Sequence, residues 1–65
     1  MTTAEADCKN EKIARHVEAI LDDHVLVEST SRDKNAVEFT VPTSADYQRV
    51  IESPQLQGLP ISWVP

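Results

Sequence analysis

One cysteine, Cys8, and two histidines, His16 and His24, are all the side chains this 65-residue chain has for disulfide or zinc crosslinks. A lone thiol closes no internal disulfide, and the paired Cys or His spacings of a four-ligand zinc site are missing. At this size folding buries only about 60% of the surface that the unfolded chain exposes. Small domains commonly add a disulfide, a metal or a partner, so association with a second copy or a larger protein is the support left.

Eleven acidic residues against six Lys and Arg give a formal net charge of −5. Binding a phosphate backbone needs clustered cations, so direct nucleic-acid binding is not expected. The longest run of like charge is Asp22-Asp23, which excludes an acidic tail. Residues 1–10 are polar, with no apolar leader core, and no stretch approaches membrane-spanning length. The expectation is a cytoplasmic protein without membrane contact, and one cysteine suits a reducing compartment.

The chain reads as a single domain over residues 1–65, with neither repeat nor linker and with prolines as punctuation at 42, 54, 60 and 65. A helix is expected over residues 4–23. Thr2 and Glu5 have capping-box spacing, Asp7 is a rival cap, and residues 1–6 are the part that frays. At 100° per residue Ala6, Ile13, Val17, Ile20, Leu21 and His24 share an apolar stripe, opposite Glu11, Arg15, Glu18 and Asp22. Glu11 and Arg15, four apart, add about 0.2–0.5 kcal/mol.

Residues 25–30 (VLVEST) read as a first strand and 36–41 (AVEFTV) as a second, joined by a turn over 31–35. Val37, Phe39 and Val41 alternate with Ala36, Glu38 and Thr40. Keeping Val25 and Val27 on the Phe39 face requires paired residue numbers with an even sum, 64 or 66. Pro42 ends the second strand, and Thr43 or Ser44 caps a helix to about residue 52 that turns Tyr47, Val50 and Ile51 inward. Ser53-Pro54 stops it. Leu56 and Leu59 pin the following loop, and 61–64 (ISWV) form a third strand with Ile61 and Trp63 on one face.

The fold class is therefore α+β, in the order helix, strand, strand, helix, strand. A strand-helix-strand connection within one sheet is nearly always parallel and right-handed, so the third strand runs parallel to the second. The expected sheet has three strands in the order 3-1-2, with both helices on one face. Its other face carries Leu26, Glu28, Glu38, Thr40, Ser62 and Val64, mostly polar as for a solvated face.

Cys8, His16 and His24 are eight residues apart, a step that turns a helix by about 80° and climbs about 12 Å. The three side chains diverge, so neither a metal nor another cofactor is expected. Cys8 falls on the polar side of the expected helix, where Asp7 raises its pKa and Lys9 and Lys12 oppose that effect. His24, at the helix end, packs or caps the last carbonyls. Glycine-rich phosphate loops, nucleophile elbows and H-E-x-x-H are missing, and so little chain encloses a substrate pocket poorly. The expectation is a protein that is not an enzyme.

The element order and the run from Ile13 through Glu28-Ser29 resemble those of the BolA-like proteins. The chain departs from that family in lacking its histidines and glycine-rich loop between Ser29 and Phe39 and in its shorter second helix. The order also resembles a ferredoxin-like βαββαβ unit without its first strand. Neither resemblance implies a site here.

What is left is a small acidic protein-protein interaction module, a regulator, inhibitor or accessory subunit that acts by covering a surface. Its partner is another protein or a second copy, as a homo-oligomer. The expected contact is the third strand and the open face beside it, through Ser62, Trp63, Val64 and Leu26. Two further readings remain. Glu11, Glu18 and Asp22, with Glu28 and Glu38, would imitate a line of nucleic-acid phosphates, or Cys8 and a histidine would serve a redox or metal-linked factor.

Overall fold

Ala4, Ala6 and Cys8 alternate with Thr3, Glu5 and Asp7. In the computed structural model, which describes residues 1–64, that period of two belongs to a strand, β1 (Thr2–Cys8). The expected helix over residues 4–23 is therefore corrected at its start, and residues 1–6 are no frayed helical turn. Ala and Glu favour helix intrinsically, but strand pairing on both sides of β1 overrides a preference worth tenths of a kcal/mol per residue. The helix α1 (Glu11–Asp22) begins at a cap that is neither Thr2 nor Asp7. Asn10 is extended, at φ −153°, and its Oδ1 accepts from the Ile13 N–H at 2.9 Å.

β2 (Ser29–Asp33), β3 (Ala36–Val41), α2 (Ser44–Ile51) and β4 (Ile61–Val64) follow. The result is a small α+β fold with two helices and a four-stranded antiparallel sheet in the order β2-β3-β1-β4. This replaces the three-stranded 3-1-2 sheet. β4 does run parallel to β3, as the connection rule requires, but β1 lies between them where β2 was expected. With β1 in place the element order is the βαββαβ of a ferredoxin-like unit, first strand included. The helix-first order behind the BolA-like resemblance is overturned by the same strand.

The first expected strand also moves. The chain turns at Val25 and Leu26, where the Val27 N–H bonds His24 O, just after the His24 N–H has bonded Leu21 O. Val25 is 93% exposed, while Leu26 and Val27 pack against the core from outside the sheet. Pairing with β3 begins where the Glu28 N–H reaches Thr40 O at 2.8 Å. Paired numbers then sum to 69, as for Thr30 opposite Phe39, and the even sums fail. Their premise was that Val25 and Val27 lie in the strand. β2 instead turns Thr30 and Arg32 inward. The turn itself shrinks to Lys34-Asn35, with Lys34 at φ 58°, because Asp33 already pairs with Ala36.

β3 and α2 match their expected spans. Thr43 caps α2 by accepting from the Asp46 N–H at 3.2 Å, and Tyr47 and Val50 are buried. The loop to β4 is pinned by buried Leu56 and by partly buried Leu59, and Gly58 takes φ 82°, where a side chain would be strained. One core lies between the sheet and both helices, built on Ala4, Ala6, Cys8, Val37, Phe39 and Val41 from below and on Ala14, Val17, Leu21, Tyr47 and Val50 from above. Pro65, the last of the prolines read as punctuation, lies outside the described residues.

Candidate interaction surface

The sheet has two edges, and their chemistry differs. β2 is Ser-Thr-Ser-Arg-Asp, polar throughout and carrying both signs of charge. β4 is Ile-Ser-Trp-Val, with no charge along its length. Charge is one of the usual devices that keep an edge from pairing, and β4 lacks it. Among the described residues β4 pairs only with β1, leaving its other side without a strand.

The positions expected to make contact divide accordingly. Ile61 and Trp63 point inward, opposite Cys8 and Ala6, and stay partly exposed at the rim of the core. Ser62 and Val64 point to the open face and are exposed, Val64 by 47%. Leu26 is corrected, since it packs against the core from the turn after α1 and shares no face with Val64. Glu28 is also off the face, preceding β2.

The open face was expected to be mostly polar, and it is more acidic than the three-strand reading implied. Its cross-strand rows run Ser29, Thr40, Thr3, then Ser31, Glu38, Glu5, Val64, then Asp33, Ala36, Asp7, Ser62. Glu5 and Glu38 stand directly opposite each other, an arrangement that destabilises a sheet. No strand places a cation on this face, and no salt bridge among the described residues involves Glu5, Asp7, Asp33 or Glu38. Three of these four carboxylates escaped the sequence reading. For Glu5 and Asp7 the signal was the period of two over Thr2–Cys8, whereas Asp33 depends on where β2 ends.

Glu11, Glu18 and Asp22 do not make a line of free charge on α1. Glu11 lies 3.9 Å from Arg15, Glu18 accepts from the Arg32 Nε–H at 3.3 Å, and Asp22 accepts from the Thr30 hydroxyl at 3.4 Å. Two of the three therefore tie α1 to β2.

Cys8 is buried at the end of β1, against the expected polar, exposed position, because it lies on the inner face of a strand. Burial raises its thiol pKa, and the Asp7 carboxylate raises it further. Reactive thiols need the opposite surroundings.

His24 lies 3.0 Å through Nε2 from Ser53 Oγ, a nucleophile-base distance that the sequence did not place. The ring's other nitrogen decides its role. Nδ1 accepts from the Leu26 N–H at 3.1 Å, which puts the proton on Nε2 and makes the ring the donor to Ser53. A ring held in this tautomer cannot take the serine's proton. His24 is a strut joining the end of α1 to the end of α2, and it caps by accepting from the turn rather than by donating to carbonyls. His16 and His24 both line an open groove of about 470 Å³ with Ile20, Asp23 and Gln55. Among the described residues no three His, Cys, Asp or Glu side chains are grouped to hold a metal.

No family model, curated protein or solved structure matches the chain. Among the described residues no helix is long and apolar enough to cross a membrane.

Proposed function

We propose that this protein is an interaction module that works by adding a strand of its partner to the edge of β4. The observation that supports this reading is the uncharged edge itself, beside a partly exposed indole, in a domain whose other edge is charged. Strand addition supplies main-chain hydrogen bonds for affinity and alternate side-chain pockets for specificity. Trp63 is the natural anchor, since aromatic residues dominate interface energetics. The activity is occupation of a surface, as for a regulator, inhibitor or accessory subunit, with no chemical step of its own.

Ser62→Lys and Val64→Lys test the reading, because both side chains face solvent and leave Ile61 and Trp63 in place. Each variant should keep the parent's melting temperature within a few degrees and lose partner binding or self-association in sedimentation across a concentration series. If both variants associate and bind as the parent does, the contact lies away from β4.

A further inference from the structure

We infer that the segment received by β4 is an extended, basic stretch of a different protein, with Lys or Arg at every second position. The inference rests on the β4 edge proposed above and adds the identity of its occupant. A strand laid against β4 turns alternate side chains to the two faces of the sheet. Those on the inner side meet Ile61 and Trp63 and want to be apolar. Those on the open side continue the rows that end at Ser62 and Val64. Behind Ser62 stands Asp7, and behind Asp7 stands Ala36. Neighbouring strands are about 4.8 Å apart, so a partner residue opposite Ser62 is about two strand spacings from Asp7. A Lys or Arg side chain spans that gap because the intervening serine is short. The next row presents Val64 and then the opposed pair Glu5 and Glu38, whose repulsion a second cation over Val64 would relieve. Charge also argues against a second copy. Pairing β4 with its twin would join two open faces of the same sign, each in a chain of formal charge −5. Nucleic acid is disfavoured by the same sign.

The test uses the intact chain and fluorescein-labelled nonapeptides that alternate Lys with Val, read by fluorescence anisotropy. Controls replace every Lys by Thr or by Glu, or methylate every backbone amide nitrogen of the Lys peptide, which removes the donors from both edges of the strand. The Lys peptide should bind about tenfold more tightly than the Thr peptide at low salt, the size expected from two exposed ion pairs. That gap should shrink towards none at 0.5 M NaCl, and the Glu peptide should bind most weakly. The double variant Glu5→Gln, Asp7→Asn should close the gap while leaving Thr-peptide binding unchanged, and amide methylation should abolish binding. Equal affinity for the Lys and Thr peptides would leave the edge reading standing and overturn the choice of a basic occupant. Lys-peptide binding that survives methylation would overturn strand addition in favour of diffuse charge attraction. Failure of every peptide to bind would overturn the inference, and the lysine variants above would then decide separately whether β4 is a contact at all. Self-association that Val64→Lys abolishes would make the occupant a second copy.

Discussion

Phe39 and Trp63 meet edge to face with ring centroids 6.0 Å apart, although β1 separates the strands that carry them. The contact exists because β1 presents Ala4 opposite Phe39 and Ala6 opposite both Val37 and Trp63. Two methyl groups leave room for rings from either side to close over the central strand. On the other side Tyr47 stacks on Phe39 at 6.2 Å. Phe39→Ala should cost about 3–5 kcal/mol, a large share of the stability of a small domain. A double-mutant cycle in urea with Phe39→Leu and Trp63→Leu should return a coupling of about 0.5–1.5 kcal/mol. Coupling indistinguishable from zero would mean that the rings do not touch.

Ala6→Leu separates the strand over Thr2–Cys8 from the helix that the local sequence suggests. In the strand the larger side chain enters a closed layer between Val37 and Trp63, so it should destabilise by about 1–3 kcal/mol and shift the indole emission. On an exposed first helical turn the same change would be nearly neutral, as a melt of the variant would show.

Asn10→Ala removes the side chain that caps α1 and should cost about 1 kcal/mol, or about 4–8 °C in Tm for a domain of this size. Thr2→Ala, at the rejected capping position, should cost less than half as much. The reverse order of the two melting temperatures would move the start of the helix back to Thr2.

Lys34 holds φ 58° in a two-residue hairpin loop, a conformation that costs an L-residue roughly 1–2 kcal/mol. Lys34→Gly removes that cost but adds unfolded-state entropy, so a net stabilisation of up to about 1 kcal/mol is expected. A loss of stability on chemical denaturation would show that the Lys34 side chain contributes more than its backbone strain removes.

The Cys8 thiol should react with a disulfide reagent at mildly alkaline pH far more slowly in the folded protein than in urea. Its folded pKa is raised above the unfolded value, so the associated stability is fully present below the unfolded cysteine pKa. It is lost as pH rises through the folded pKa. Stability measured by urea titration should therefore fall across that alkaline window in the parent and stay flatter in Cys8→Ala. Equal slopes would place the thiol in solvent.

The candidate surface was half legible before the structure. Ser62, Trp63 and Val64 were placed on a short strand because period-two alternation in 61–64 and the flanking Pro60 mark one, whatever lies beside it. Leu26 was misplaced because Val25-Leu-Val has the composition of a strand, yet the Leu26 N–H is taken by His24 Nδ1 and the ladder starts three residues later. Glu5, Asp7 and Asp33 were missed as one group because they come from two strands, and their neighbourhood depends on strand order.

Local chemistry in the sequence by itself determined β3, α2, the Leu56 anchor and β4, where alternation, a threonine cap and prolines agree. It also determined the acidic balance and the lack of an internal crosslink. Tertiary structure alone decided that Thr2–Cys8 is one of the two inner strands of a four-stranded sheet. The seven residues alternate with a period of two, but Ala, Glu and Asp give them little strand propensity, and what holds them extended is pairing with β3 on one side and β4 on the other. Those partners lie 29 to 39 and 53 to 59 residues away in the chain, beyond the reach of any local propensity. Through that one strand the fold also decided which carboxylates share a face and which aromatic rings meet.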